Sequence, residues 1–310
     1  MKALIFPGQG SQIVGMGSEF YRDFKIAREI FTEADDVLKY KISKIILEGP
    51  DDQLKLTKNT QPAILTVSYL IFLLLKKEFG INLNQCKYFA GHSLGEYSAL
   101  VCSNSLKFKD ALYLLHERGI AMQEAVPVGV GAMAAILGLD FEAVTAVAAA
   151  ASQGEVCEAA NDNDPGQVVV SGQKAAVERA LVLAKEAGAK RAVLLPVSAP
   201  FHCALMEPAA ARMEKALSEV EVLVPILPLI ANVNATAVSD PPTIKSLLIQ
   251  QVTGSVRWRE SIMYLAAVGV TEIWEIGAGK ALSGMVRRID RTLNCQTIGS
   301  PEDIAKVLMI

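Results

Sequence analysis

Tyr88-Phe89-Ala90-Gly91-His92-Ser93-Leu94-Gly95-Glu96-Tyr97-Ser98-Ala99-Leu100 reads as a short apolar strand, a glycine-flanked turn and a helix running from Glu96 to Leu106. Gly91-x-Ser93-x-Gly95 in that setting fits a nucleophile elbow, in which a serine sits on a sharp, strained strand-to-helix turn with its hydroxyl projecting alone. Side chains two positions to either side would collide there, which accounts for both glycines. The competing reading is a glycine-rich turn carrying a solvent-facing serine.

Outward from this turn, the N-terminal side begins with Ala3–Phe6, a buried strand closed by Pro7-Gly8. Met1–Phe6 therefore reads as a first strand, not a signal peptide. A helix from about Gly17 and another over Phe24–Lys39 follow, then an acidic loop at Gly49–Gln53. Thr60 is expected as the N-cap of an apolar helix with Pro62 in its first turn. Ala63–Leu75, the longest apolar stretch, contains Thr66 and Ser68 and stops at Lys76-Lys77, too short to span a bilayer. Asp110–Ala125 has helical spacing.

After Pro127 the pattern changes. Ala132–Leu139 reads as strand, Phe141–Ala151 as helix, and Glu155–Ala160 and Gln167–Ser171 as strands about the turn Asp164-Pro165-Gly166. Lys174–Ala187 then reads as helix and Lys190–Val197 as strand, with Gly188 closing the helix. The order β-α-β-β-α-β is ferredoxin-like. Beyond it the chain resumes α/β character: Ile226–Asn232 strand, Ile244–Gln251 and Trp258–Val268 helices, Thr271–Ile276 strand, Ala281–Arg291 helix. The expected architecture is α/β: a large domain from residues 1–126 and 198–310, with a ferredoxin-like domain of residues 127–197 inserted.

The totals narrow the function. The 310 residues are 51% hydrophobic and 20% charged, with net charge −3, enough for a sizeable core and without the basic footprint of a nucleic-acid or anionic-membrane binder. Cys86, Cys102, Cys157, Cys203 and Cys295 are odd in number and widely spaced, pointing to a reducing cytoplasm and no structural metal.

A serine hydroxyl needs a base, and the chain has three histidines. His92 adjoins Ser93, and neighbouring side chains on such a turn diverge. His116 falls on a helix surface or core edge. His202, in Ala199-Pro200-Phe201-His202-Cys203 where the chain re-enters the large domain, remains. No acid stands where hydrolases of this fold keep one; Asp162 and Asp164 lie in a turn of the insert, and a main-chain carbonyl serves to orient an imidazole equally well. Phe6-Pro7-Gly8-Gln9-Gly10-Ser11-Gln12 brings backbone close to a ligand. The Gln9 amide could join that of Leu94 as an oxyanion hole, or the segment is a plain turn; it lacks the spacing of a dinucleotide or P-loop motif. Arg118, on an apolar helical stretch, either clamps a substrate carboxylate or pairs with an acid such as Glu124.

Taken in order, Pro7-Gly8-Gln9-Gly10-Ser11-Gln12, Thr60-Gln61-Pro62-Ala63, Gly91-His92-Ser93-Leu94-Gly95-Glu96, Arg118-Gly119, Pro165-Gly166-Gln167-Val168-Val169, Phe201-His202 and Val256-Arg257-Trp258 resemble the malonyl-CoA:acyl carrier protein transacylase family over essentially the whole chain. The resemblance implies an α/β-hydrolase-like domain with a ferredoxin-like insert, and malonyl transfer from malonyl-CoA to acyl carrier protein through an acyl-serine, without a cofactor. It implies Ser93 as nucleophile, His202 as base, Arg118 as carboxylate clamp and the Gln9 and Leu94 amides as oxyanion hole. It also implies the Gln251 main-chain carbonyl as the group orienting His202. The sequence departs from the family at Ser255 and Ala278, where proline is usual, which bears on the rigidity of those loops.

Two rivals remain at this level: a serine hydrolase with the same dyad, for which a cation beside the nucleophile has no use, and a non-catalytic module that binds carrier protein. Carrier proteins of this kind are acidic, so Lys190, Arg191, Lys280, Arg287, Arg288 and Arg291 are candidates for docking.

Overall fold

The structure is a computed structural model that describes residues 1–81, 85–197 and 199–308. The expected re-entry point of the large domain, Ser198, falls outside them.

The chain opens with β1 (Lys2–Phe6), then α1 (Ser18–Asp23), α2 (Lys25–Leu38), α3 (Ile42–Glu48), α4 (Asp51–Lys55) and α5 (Thr57–Lys77). The elbow segment follows as β2 (Cys86–Gly91) and α6 (Gly95–Cys102), then α7 (Phe108–Glu124). The next stretch is β3 (Gly131–Leu137), α8 (Phe141–Ser152), β4 (Cys157–Asp164), β5 (Gln167–Gln173), α9 (Lys174–Glu186) and β6 (Arg191–Leu194). The return comprises α10 (Glu207–Ser218), β7 (Leu229–Ile230), β8 (Ala237–Val238), α11 (Pro241–Thr253) and α12 (Trp258–Ala267). It ends with β9 (Glu272–Ile276), α13 (Ala281–Ile289), β10 (Asn294–Ile298) and α14 (Pro301–Leu308).

Two sheets result. A six-stranded sheet runs β10-β9-β1-β2-β7-β8, with every pair parallel except β7–β8. β1 lies at its centre with all five residues buried, because a parallel sheet covered on both faces leaves a strand no exposed side; Lys2, at its start, pairs with Glu272 at 3.3 Å. The second sheet is antiparallel, order β4-β5-β3-β6, with α8 and α9 against it. Period-two alternation divides its side chains. Ala134, Ile136, Val168 and Val170 pack beneath those helices, while Met133, Ala135 and Val169 join the main core.

Several boundaries differ from expectation. Thr60 is not an N-cap: α5 begins at Thr57 behind Leu56, and the Thr60 hydroxyl instead donates to the Leu54 carbonyl at 2.6 Å. Pro62 therefore sits inside α5, where it has no N–H for the carbonyl of Lys58. His116 on α7 approaches that carbonyl at 3.2 Å with Nδ1, supplying the missing donor. The acidic loop at 49–53 closes into α4, with Asp51 and Asp52 in its first turn, where negative charge favours a helix N-terminus. The strand expected over Ile226–Asn232 shortens to Leu229–Ile230, and that over Lys190–Val197 to Arg191–Leu194. α3, α10, β8, β10 and α14 lacked a reading from the sequence. No helix among the described residues is long and apolar enough to cross a membrane.

The edge strand β4 of the antiparallel sheet is tied to the loop between α11 and α12. Val256 pairs in parallel with Asn161 of β4, its N–H bonding the Ala160 carbonyl and its carbonyl accepting from Asp162, both at 2.9 Å. The neighbouring Ser255 hydroxyl donates to the Ala159 carbonyl. Where proline would stiffen the loop through its ring, this serine ties it to β4. Asp162 pairs with Arg259 at 2.9 Å and Asp164 with Arg288 at 2.7 Å.

Candidate active site

Ser93 sits between β2 and α6 with φ 53°, in the left-handed region that costs a side-chain-bearing residue on the order of 1–2 kcal/mol. The glycines around it are required by contact. A Cβ on Gly91 would lie 2.0 Å from the Gly95 carbonyl, and one on Gly95 would lie 2.3 Å from the Phe6 carbonyl oxygen. The elbow is thus wedged backbone-to-backbone against the end of β1, and His92 N–H bonds the Phe6 carbonyl at 3.1 Å.

His202, also at positive φ (59°), places Nε2 2.8 Å from Ser93 Oγ. Its Nδ1 lies 2.8 Å from the Gln251 main-chain carbonyl. A carbonyl only accepts, so Nδ1 carries the proton and Nε2 presents its lone pair to the serine hydroxyl. Asp162 and Asp164, the acids that lay in the right interval of sequence, are both engaged by arginines elsewhere. Burial, and next to it the Arg118 cation, hold the imidazole down to about 3.

Arg118 on α7 is 1% exposed. Its Nη1 donates to Gln61 Oε1 at 2.8 Å, and Nη2 to Gln251 Oε1 at 2.8 Å and Ser93 Oγ at 3.1 Å. Glu124 pairs with Arg212 instead, and among the described residues no carboxylate lies within ion-pair distance of Arg118. A buried guanidinium held only by neutral oxygens beside the nucleophile has its charge uncompensated by any ion pair among the described residues, a setting suited to receiving an anion.

The Gln9 loop caps the opposite side. Ser11 closes it, donating from Oγ to the Gly8 carbonyl at 2.8 Å. Among the described residues, neither the Gln9 nor the Leu94 amide has a hydrogen-bond partner, and both residues line the same cavity as Ser93, Arg118 and His202, of about 270 Å³. The antiparallel sheet supplies its far wall through Met133, Ala135, Asn161, Asn163 and Val169. His92 turns away from the serine as expected of adjacent residues: its Nε2 meets Asn163 Oδ1 at 2.9 Å and its ring packs edge-on to Trp258.

Four polar residues of the site were not assigned roles from the sequence. Gln61 stood in a quoted motif, and Asn163 in an acidic turn. Asn232 had no local signal at all, yet its Oδ1 accepts the Ser93 N–H at 2.7 Å and its Nδ2 holds the Gly91 carbonyl at 2.7 Å. Glu96 had a readable one, being the acid in an otherwise apolar start of helix. It is 1% exposed, and burial pushes its carboxyl up to about 7, opposed by bonds from Asn232 and Gln251 and by Arg118.

The six basic docking candidates are all exposed; Arg288 is engaged by Asp164. All five cysteines are free and buried. Among the described residues no group of three or more His, Cys, Asp or Glu is placed to hold a metal.

Residues 3–296 match the acyl transferase domain model. The malonyl CoA-acyl carrier protein transacylase of Bacillus subtilis is 48% identical over 97% of this chain and 94% of its own length. The crystal structure of an acyl-carrier-protein S-malonyltransferase from Bartonella henselae superposes with a TM-score of 0.96 at 50% identity, covering 99% of this chain and 98% of that one. A malonyl-transacylase in complex with its type II PKS acyl-carrier protein is similar at a TM-score of 0.96 and 40% identity, covering 99% of each chain. The chain belongs to the malonyl-CoA:acyl carrier protein transacylase family.

Proposed function

We propose that this chain transfers a malonyl group from malonyl-CoA to the phosphopantetheine thiol of an acyl carrier protein through a malonyl-Ser93 intermediate, supplying fatty acid synthesis. The observation that carries the reading is a single oxygen with two partners: Ser93 Oγ lies 2.8 Å from His202 Nε2 and 3.1 Å from Arg118 Nη2. A base and a cation on one hydroxyl suit an acyl group that ends in a carboxylate. A hydrolase of neutral acyl chains has no use for that cation.

In the mechanism, His202 Nε2 takes the Ser93 proton as Oγ attacks the thioester carbonyl, while the carbonyl of Gln251 holds Nδ1–H. The Gln9 and Leu94 amides receive the tetrahedral oxyanion. Collapse expels the coenzyme A sulfur, which takes the proton from His202. The carrier-protein thiol then reverses the steps, its proton passing to His202 and its sulfur displacing Ser93. Arg118 pairs with the malonyl carboxylate. That pairing also cancels part of the positive field that depresses His202, so the substrate that fills the clamp raises the basicity of the base.

All of this is done by side chains and main-chain amides, so we assign no cofactor; coenzyme A enters as part of the substrate. We place the protein in the cytoplasm. The division of labour is between a catalytic domain of residues 1–126 and 198–310 and an inserted domain of 127–197, with docking of the acidic carrier on the exposed basic residues.

The test is the intact mass after incubation with malonyl-CoA. One malonyl adduct is expected, absent from Ser93→Ala and discharged by added carrier protein. An adduct that persists in Ser93→Ala, or none in the parent, overturns the reading.

A further inference from the structure

Behind the elbow lies a buried polar cluster that the mechanism above does not use. Glu96 is the second residue of α6, and its N–H bonds the Ser93 carbonyl at 3.0 Å. Its Oε2 accepts from the Asn232 backbone N–H at 3.0 Å and from Gln251 Nε2 at 2.8 Å. Each partner continues to the reacting groups. Asn232 holds Ser93 N–H and the Gly91 carbonyl through its side chain. Gln251 also donates from Nε2 to the Ser93 carbonyl at 3.0 Å, accepts Arg118 Nη2 on Oε1, and accepts His202 on its main-chain oxygen.

The charge on Glu96 reinforces the way the Gln251 amide faces, alongside the Ser93 carbonyl that accepts from the same nitrogen. An amide has a donor end and an acceptor end. With a carboxylate on one side and a guanidinium on the other, only one orientation satisfies both: nitrogen toward Glu96, oxygen toward Arg118. The reverse sets NH₂ against a cation and C=O against an anion, in surroundings too dry to screen either. A neutral Glu96 removes the charged part of that instruction on the nitrogen side and leaves only the neutral Ser93 carbonyl to hold it.

We propose that Glu96 is a positioning residue whose carboxylate, acting through the side chain of Gln251, aims the Arg118 guanidinium at the acyl carboxylate and thereby sets the preference for carboxylated over neutral acyl groups. The inference rests on the acyl-transfer reading of the site. The charged and titratable groups acting on Glu96 are Arg118 from α7 and Tyr97 beside it on α6. α11 and the loop after β7 contribute the neutral Gln251 and Asn232. Burial raises the carboxyl to about 7. Because malonyl in the clamp also raises His202 from its depressed value, it is the comparison with Glu96→Gln, which keeps the base, that assigns a loss of malonyl preference near neutrality to Glu96. The sign follows: the working form is the anion, so preference is full above about 7 and declines as pH falls through it.

The experiment is rapid-quench acylation of Ser93 by malonyl-CoA and, separately, acetyl-CoA, across roughly pH 5.5 to 8.5. In the parent, the malonyl-to-acetyl rate ratio is expected to fall on the order of tenfold or more toward the acid end, the scale of one bond to a charged group. In Glu96→Gln it is expected to be low and flat across the range. A ratio independent of pH in the parent overturns the proposal, even if Glu96→Gln fails to fold. So does a folded Glu96→Gln with the parent's ratio and profile, even if its thermal midpoint drops. Absence of any acyl-Ser93 in the parent is a different result, which sinks the acyl-transfer reading itself.

Discussion

The six-stranded sheet reaches the cavity through the loops at the ends of β1 and β2, whereas the four-stranded sheet reaches it through alternate side chains along β3, β4 and β5. The first route delivers backbone. Parallel strands end together at one edge, so the turn after β1 and the elbow after β2 lie side by side and leave the amides of Gln9 and Leu94 unpaired. The second route delivers a surface. Met133, Ala135 and Val169 line the cavity, and the residues between them pack under α8 and α9. In the proposed mechanism the nucleophile, base and oxyanion hole sit in loops, Arg118 and Gln251 come from α7 and α11, and the insert contributes shape.

That contrast can be broken most decisively at Gly95. A methyl there would sit 2.3 Å from the Phe6 carbonyl oxygen and 2.8 Å from that of Pro7. Gly95→Ala is expected to separate the elbow from the β1 loop, to abolish acylation of Ser93, and to lower stability by several kcal/mol. Circular dichroism melts and intact mass after malonyl-CoA would measure both; an active, unshifted variant would mean that the wedge is unimportant. Next in size is Arg118→Ala, expected to slow malonyl transfer on the order of a hundredfold or more while acetyl transfer falls less than about tenfold. Equal losses in steady-state rates for the two thioesters would remove the clamp from the account.

The smallest effect sharpens the comparison from the side of the insert. Ser255→Ala removes one hydroxyl bond between the loop after α11 and β4, and about 1 kcal/mol of stability is expected to go with it. Acylation by malonyl-CoA should stay near the parent rate, because Val256 still pairs with Asn161 through the main chain. A large loss of rate would mean that docking of the antiparallel sheet and placement of the Gln251 carbonyl are mechanically one.

Legibility from the sequence tracked locality. Gly91-x-Ser93-x-Gly95 announces itself because everything it needs lies within five residues, and the β-α-β-β-α-β order of residues 131–194 needs only strand and helix periods. Elimination among three histidines reached His202 without geometry. Misreadings had physical causes too. Thr60 looked like a cap because Pro62 follows it, but α7 packs against α5 closely enough for His116 to serve the carbonyl that proline leaves unpaired. The Arg118–Glu124 pair rested only on nearness in sequence, and Arg212, from a helix beginning 83 residues after Glu124, claims that carboxylate.

What the amino-acid sequence determined by itself was the elbow, the inserted β-α-β-β-α-β unit and a short set of chemically competent side chains, because glycine contacts and hydrophobic periods act over a few residues. What only the tertiary structure decided was the company those side chains keep. Gln251, Glu96 and Arg118 come from three separate helices and Asn232 from the loop after β7, and none carries a local mark of its partners. A hydrogen bond has no sequence period; it exists only once folding has brought donor and acceptor within about 3 Å of each other.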